Sequence, residues 1–156
     1  MQDEAVDVFT KKLLPMASLL TPNVPEAEVL AGIPINDKDS MEKAAHIIHS
    51  KGCKALLIKG GHIEGRKIDR LYTAMGMERE YEAANVATRN THGTGCTLSS
   101  AITSYLAMGY AIGEAIAAAK EWLTGALIAG ANVEIGSGHG PVNHFYNPQK
   151  TIIKTK

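Results

Sequence analysis

The sequence predicts an α/β fold in which helices flank a mostly parallel sheet, and two patterns carry this prediction. Residues 55–58 (ALLI) form a continuous apolar run between Gly52 and Gly60, which is typical of a strand buried on both faces. The segments 98–106 and 112–127 repeat apolar residues at helical spacing. Strands that alternate with amphipathic helices indicate a layered α/β sheet.

The length and charge of the chain limit the classes of protein to which it can belong. A length of 156 residues predicts one domain over residues 1–156, large enough to bury a core. The 16 basic and 16 acidic residues cancel, which argues against nucleic acid, a membrane surface or a polyanion as partner. No apolar run is long enough to cross a bilayer, and the opening MQDEAVD is unlike a secretory signal. We therefore expect a cytoplasmic protein.

The first part of the chain predicts a helix, a strand and a second helix. Residues 3–13 favour a short helix that Pro15 ends, and residues 17–20 (ASLL) favour a short buried strand. Pro25 suits the first turn of the following helix. The group at 32–34 (GIP) breaks that helix.

The middle of the chain predicts a third helix and a hairpin. Asp39 and Glu42 have the spacing of a capping box, which places the start of the helix beside them. Its expected apolar face is formed by Met41, Ala44, Ala45 and Ile48. Residues 67–73 and 78–86 are weaker strand candidates joined across Gly76, which favours an antiparallel hairpin.

The sharpest local feature is the segment 92–97 (HGTGCT), which leads into the helix expected near Leu98. Its two glycines allow backbone N–H groups to converge on an anion, and a helix N-terminus adds partial positive charge. Such a turn suits phosphoryl transfer, where catalysis is largely positioning and electrostatics. The segment matches neither a Walker A loop nor a dinucleotide-binding fingerprint. Without other support, a glycine-rich helix start with no catalytic meaning is the better explanation.

Cys96 lies within this segment and has two interpretations. At a helix N-terminus, a cysteine beside a bound phosphate acceptor could take a proton from a substrate hydroxyl. Alternatively, it is a small hydrophobic residue packed against the turn, because cysteine is among the most buried residue types. Its position alone leaves both open. The other cysteine, Cys53, is expected in the core, and no CxxC spacing suggests a disulfide or a zinc site.

Three further polar residues follow predicted strands. Lys59 comes directly after residues 55–58, where a lysine could neutralise a transferred phosphate. Asn23 and Glu26 come at a helix start, where an amide and a carboxylate could hold Mg²⁺ largely through water. The alternatives are a solvated lysine and simple helix capping.

The remaining candidates are weaker. His46 and His49 lie one helical turn apart without a third ligand nearby, so a surface helix face is favoured over a metal site. The loop 136–141 (GSGHGP) could close over a ligand, although a plain loop is the stronger interpretation.

Four segments, taken together, resemble one family. Residues 21–28 (TPNVPEAE), 56–62 (LLIKGGH), 90–100 (NTHGTGCTLSS) and 138–144 (GHGPVNH) occur in that order. They are similar to the C-terminal portion of hydroxymethylpyrimidine/phosphomethylpyrimidine kinase, a member of the ribokinase superfamily in thiamin biosynthesis. The resemblance extends over essentially the whole chain and implies a ribokinase-like fold.

The resemblance also implies a reaction and the residues that perform it. The reaction is ATP-dependent phosphorylation of hydroxymethylpyrimidine and its monophosphate, with ATP and Mg²⁺ as cofactors. The implied roles are contact with Mg²⁺ and phosphate for Asn23 and Glu26, contact with ATP for Lys59, the anion hole for Gly93, Thr94 and Gly95, and the catalytic base for Cys96.

The resemblance covers the nucleotide-binding and base-bearing portion. Family members carry a long N-terminal portion, with most of the hydroxymethylpyrimidine pocket, before the point where this sequence begins. We therefore expect a truncated form with an exposed sheet edge, which self-association or an N-terminal segment would complete. Two other functions stay open: a pyridoxal or pyridoxine kinase, and a nucleotide-binding remnant without catalytic activity.

Overall fold

The computed structural model describes residues 3–60 and 68–148, and the chain forms two compact units, Met1–Ala83 and Ala84–Lys156. Helices and a small sheet are both present, so the expected α/β class is confirmed. That residues 1–156 form a single domain stays a prediction. Within the described ranges, no helix combines the length and apolar character needed to cross a bilayer.

The first unit begins with a helical segment that changes geometry along its length. Helix α1 (Asp3–Val8) continues as a π-helical turn, Phe9–Leu13, and a 3₁₀ turn, Leu14–Met16. The helix predicted over 3–13 is therefore confirmed, and Pro15 lies in its final turn. Leu14 is fully buried and anchors this segment to the core.

The strand predicted over residues 17–20 is wrong. Leu20 forms only an isolated parallel bridge, and the side chains of 17–20 are exposed or half-buried. The backbone N–H of Leu57 donates to the Leu20 carbonyl (2.8 Å), and that of Lys59 donates to the Pro22 carbonyl (2.8 Å). Pro22 has no N–H to donate in return, so the parallel ladder is interrupted at this point.

Two helices follow, α2 (Val24–Ala31) and α3 (Lys38–Ser50). The capping box predicted at Asp39 and Glu42 is wrong, because the N-cap of α3 is Asp37, whose side chain accepts from the N–H of Ser40 (2.7 Å). Asp37 and Ser40 have the same three-residue spacing, and Asp39 lies inside the first turn. The predicted apolar face of α3 is confirmed, since its four residues are buried: Met41, Ala44, Ala45 and Ile48.

The described strands form one three-stranded sheet in the order β1 (Ala55–Ile58), β2 (Ile68–Thr73) and β3 (Gly76–Glu82). All four residues of β1 are buried, as predicted. The β2–β3 hairpin is confirmed, although β3 ends at Glu82 and residue 67 lies outside the described residues. Both pairings are antiparallel, so the expected mostly parallel sheet is not seen among these strands. In the part of the chain that the structure describes, parallel pairing along β1 and the residue after it consists of two isolated bridges, Leu20 with Leu56 and Asn23 with Lys59.

The core of the first unit packs α2 and α3 against β1 and β2. A charged side chain is buried in this unit: Arg70 of β2 is 1% exposed, and its Nε donates to Glu80 Oε1 on β3 (2.8 Å). The apolar core consists of Leu14, Ala27, Leu30, Ala31, Ile35, Met41, Ala44, Ala45, Ile48, Cys53, Leu56, Ile58 and Tyr72.

The second unit is built on two packed helices, α4 (Thr94–Ala107) and α5 (Ile112–Gly130). Helix α4 starts at Thr94, four residues before the start expected near Leu98, because its first turn is polar and shows no apolar period. Six apolar side chains from the segments predicted to be amphipathic helices are buried: Leu98, Ile102, Ala115, Ile116, Ala119 and Ala126. The glycine-rich segment 93–95 is therefore the beginning of the helix itself.

Candidate phosphate-binding and catalytic residues

In the first unit, Asn23 and Lys59 lie side by side at the end of β1, joined by an isolated parallel bridge. Asn23 caps α2: its Oδ1 accepts from the N–H of Glu26 (2.8 Å), and Glu26 Oε2 accepts from the N–H of Asn23 (2.8 Å). The helix-capping interpretation of this pair is therefore correct. The two residues are fixed relative to the strand end by one capping box.

The oxygen atoms of Asn23 and Glu26 suit a Mg²⁺ ion that takes most of its ligands from elsewhere. Each side chain uses one oxygen in the capping box, and Glu26 is exposed, with its second carboxylate oxygen outside the box. Among residues 3–60 and 68–148, no three His, Cys, Asp or Glu side chains gather to hold a metal ion. The chemistry therefore fits an ion whose remaining ligands are water and phosphate oxygens.

Lys59 directly follows β1 and is half-buried. Its backbone N–H donates to the Pro22 carbonyl (2.8 Å), which anchors the residue at the carboxyl end of the strand. This is the position where ligands of α/β sheets are commonly bound. The last two residues of the KGGH motif, Gly61 and His62, lie outside the described residues.

In the second unit, the turn at 93–96 begins helix α4 with backbone N–H groups that have no intrahelical acceptor. Gly93 is the N-cap of α4 with a φ of 79°, a left-handed conformation that favours glycine, and no side chain caps the helix. The first intrahelical bond runs from the N–H of Thr97 to the Gly93 carbonyl (2.9 Å). The N–H groups of Gly95 and Cys96 lie in the first turn, where a helix provides no acceptor. These two donors lie at the positive end of α4, where an anion would be stabilised.

Cys96 is exposed, so the interpretation of this residue as a buried hydrophobe is wrong. It lines a cavity of about 520 Å³ between α4, α5 and the segment after α5. The lining residues are Cys96, Thr97, Ser100, Ala101, Ser104, Tyr105, Met108, Trp122 and His144. Cys53, in contrast, is only 5% exposed, and burial raises the pKa of its thiol to about 11. Its predicted place in the core is confirmed.

Two features of this region were not found from the sequence. Thr97 Oγ1 is hydrogen-bonded to His144 Nε2 (3.0 Å), which ties the first turn of α4 to the VNH segment 47 residues later. Asn90, at the start of the NTHGTGCT segment, is buried with its amide bonded to two carbonyls. Both residues stand in motifs that the sequence displays, but their partners are distant in sequence and no local pattern indicates them.

Comparison with known proteins decides the family. A family model described as phosphomethylpyrimidine kinase matches residues 1–143. The chain belongs to the phosphomethylpyrimidine kinase family. It is 41% identical over 147 residues to a hydroxymethylpyrimidine/phosphomethylpyrimidine kinase of Rhizobium meliloti, covering 94% of this chain and 55% of that kinase. It is also 45% identical over 142 residues to a thiamine biosynthesis bifunctional protein of Geobacter sulfurreducens, covering 90% of this chain and 28% of that protein.

Solved structures of vitamin kinases share the fold of this family member. A Bacillus subtilis pyridoxal kinase in complex with ADP superposes with a TM-score of 0.81 at 34% identity, over 94% of this chain and 57% of that one. A phosphomethylpyrimidine kinase of Clostridium difficile gives 0.66 at 41% identity, over 79% and 48% of the two chains. The ribokinase-like fold expected from the sequence is thereby confirmed. The chain spans about half the length of the curated kinases it matches.

Proposed function

We propose that this chain supplies the nucleotide-binding and base-bearing residues for ATP-dependent phosphorylation of hydroxymethylpyrimidine and its monophosphate. The observation that carries the proposal is the turn at 93–96, where two N–H donors at the start of α4 adjoin an exposed cysteine. The family to which the chain belongs supports the choice of reaction.

In the proposed reaction, Cys96 acts as the general base. Its sulfur takes the proton of the acceptor hydroxyl, whose oxygen forms a bond to the γ-phosphorus as the bond from that phosphorus to the β,γ-bridging oxygen breaks. The N–H groups of Gly95 and Cys96 stabilise the charge on the transferred group. The acceptor is the hydroxymethyl group in the first step and the monophosphate in the second.

The first unit's residues have proposed roles in holding the nucleotide. Lys59 supplies a point charge for ATP phosphates, and Asn23 and Glu26 contribute to a Mg²⁺ shell completed by water and phosphate oxygens. When bound, Mg²⁺ neutralises phosphate charge during transfer. Self-association, completion by an N-terminal segment, and a cytoplasmic location stay predictions.

A pyridoxal kinase is the second candidate. The pyridoxal kinase structure aligns with a higher TM-score (0.81) than the phosphomethylpyrimidine kinase structure (0.66), although its sequence identity is lower. The two candidates predict different acceptors for the same turn and the same cysteine. Competition between hydroxymethylpyrimidine and pyridoxal for phosphate from MgATP separates them.

The experiment that tests the proposal combines calorimetric titration with MgATP and a transfer assay. The assay uses the purified chain alone and supplemented with the N-terminal half of the Rhizobium meliloti kinase. MgATP binding with transfer to hydroxymethylpyrimidine in either setting supports the proposal. MgATP binding without transfer in both settings indicates the non-catalytic remnant, and absence of MgATP binding contradicts any nucleotide-dependent function.

A further inference from the structure

Asn90 is a polar side chain held inside the second unit, three positions before the turn at Gly93. It is 8% exposed, and its Nδ2 donates to the carbonyls of Gly130 (2.6 Å) and Val133 (2.7 Å). Its backbone N–H donates to Thr88 Oγ1 (3.0 Å). Both amide hydrogens are therefore used at the carboxyl end of α5 and in the segment that follows.

The loop 136–141 packs against the other side of Asn90. A β-carbon placed on Gly140 would lie 2.1 Å from Asn90 Oδ1, so only glycine permits this approach. The Gly140 carbonyl accepts from the N–H of His92 (3.1 Å), and His139 Nδ1 lies 3.1 Å from the Arg89 carbonyl oxygen. The GSGHGP loop is thus a partner of the segment that leads into the turn.

We propose that Asn90 is the positioning residue of the phosphate turn: it fixes residues 91–96 against the end of α5 so that the N–H groups of Gly95 and Cys96 keep one direction. This inference rests on the proposed function of the turn. Preorganised donors stabilise transferring phosphate without reorganising during the reaction, so loss of this restraint weakens the site.

The chemistry of the position explains why an amide is required. Two carbonyl oxygens converge on one side chain, and an NH₂ group offers two donors to them. An ionised carboxylate of the same size has no donor and would repel both oxygens, while an alanine would remove both side-chain hydrogen bonds and leave the Gly130 carbonyl its bond from the Val133 N–H (3.1 Å). Asn90→Asp and Asn90→Ala therefore remove the same restraint by different means.

The matched control is Asn132→Asp. Asn132 is exposed just beyond α5, so this variant introduces the same charge change nearby without touching the two bonds. The titratable and charged side chains on the packed segments are common to all variants: Arg89, His92, Glu134 and His139. Their contribution to any pH dependence is removed by comparison with the control.

The test measures hydrogen exchange at the amides of residues 91–97 and affinity for MgATP. At pH 8 we expect Asn90→Asp to raise exchange and weaken MgATP binding, each by about 10-fold, the effect of roughly one lost buried hydrogen bond. Burial beside two carbonyl oxygens should raise the pKa of an aspartate at position 90, so protonation near pH 5 restores one donor and the affinity relative to Asn132→Asp should recover in part. Asn132→Asp should match the wild type at both pH values.

Three results overturn the inference. They are unchanged exchange and affinity in folded Asn90→Asp, weakened binding with no pH recovery, and increased exchange throughout the unit rather than at 91–97. If Asn90→Asp does not fold, Asn90→Ala decides by the same exchange measurement. Failure of the wild type to bind MgATP contradicts the proposed function, whereas the exchange pattern still decides the role of Asn90.

Discussion

At the scale of single residues, the two cysteines have opposite environments. Cys96 stands exposed in the first turn of α4, while Cys53 is buried before β1 with its Sγ donating to the Ala55 carbonyl (3.2 Å). Proton transfer to or from substrate requires access, which only Cys96 has. This difference in exposure makes Cys96 the candidate base and predicts unequal reactivity.

We expect iodoacetamide to modify Cys96 in the folded chain near pH 8 and to leave Cys53 unmodified until the chain unfolds, because burial raises the pKa of Cys53 to about 11. Peptide mass spectrometry measures both sites. Saturating MgATP should slow labelling of Cys96. Equal labelling of the two cysteines in folded protein would contradict this assignment.

Buried weak acids also make stability fall at alkaline pH. Burial raises the pKa of Cys53 to about 11 and that of Tyr72 to about 12. Both groups ionise more easily when unfolded, so their contribution is complete at neutral pH and is lost as pH rises through these values. Urea unfolding should show a falling free energy of unfolding above pH 9, and Cys53→Ala should reduce the fall between about 9 and about 11. A flat profile in the wild type would refute this.

At the scale of elements, the start of α3 shows how spacing alone misleads. Asp37 with Ser40 and Asp39 with Glu42 each have the three-residue spacing of a capping box, and the sequence predicts the second pair. In the folded chain, Asp37 has extended backbone and caps the helix. Hydrogen bonds from Ser40 lower the pKa of Asp37.

Replacing the true cap should therefore cost more stability than replacing its neighbour. Asp37→Ala is expected to lower the midpoint of thermal unfolding by a few degrees, and Asp39→Ala by less, because Asp39 interacts only with the helix dipole. The excess should shrink as pH falls through the lowered pKa of Asp37, since protonation removes the charged acceptor. Circular dichroism melts of both variants provide the measurement. Equal losses would show that Asp37 is not the functional cap.

The elements that were predicted correctly are those whose apolar residues follow a clear pattern. The errors concern backbone hydrogen bonds and helix ends, which that pattern does not show. The continuous apolar run 55–58 and the apolar face of α3 are both buried, because exposing so many adjacent apolar side chains to water is unfavourable. The strand expected at 17–20 is reduced to one parallel bridge at Leu20, and the ladder is interrupted after it because Pro22 has no N–H to donate, an effect that depends on which strand lies beside it. Helix α4 begins at Thr94, before its apolar pattern starts at Leu98, so the pattern alone places the beginning of the helix too late.

At the scale of the whole molecule, the ordered motifs identified the family, and the comparisons confirmed it. The site residues stand in short sequence motifs, but their contacts join positions far apart in the chain. Thr97 is bonded to His144, and Asn90 is bonded to Gly130 and Val133. Such contacts depend on the packing of α4 and α5, which a single sequence does not specify. The roles of Asn23, Glu26, Lys59 and the turn stay proposals that binding and transfer measurements decide.

The most direct test of the central claim is phosphate transfer by Cys96→Ala, with Cys53→Ala as the matched control, in whichever setting the wild type is active. Loss of a general base should reduce turnover by about 10²–10⁴-fold, while MgATP affinity measured by calorimetry stays close to that of the wild type. Cys53→Ala should keep its turnover. Wild-type turnover by Cys96→Ala would remove this cysteine from the mechanism and contradict the account.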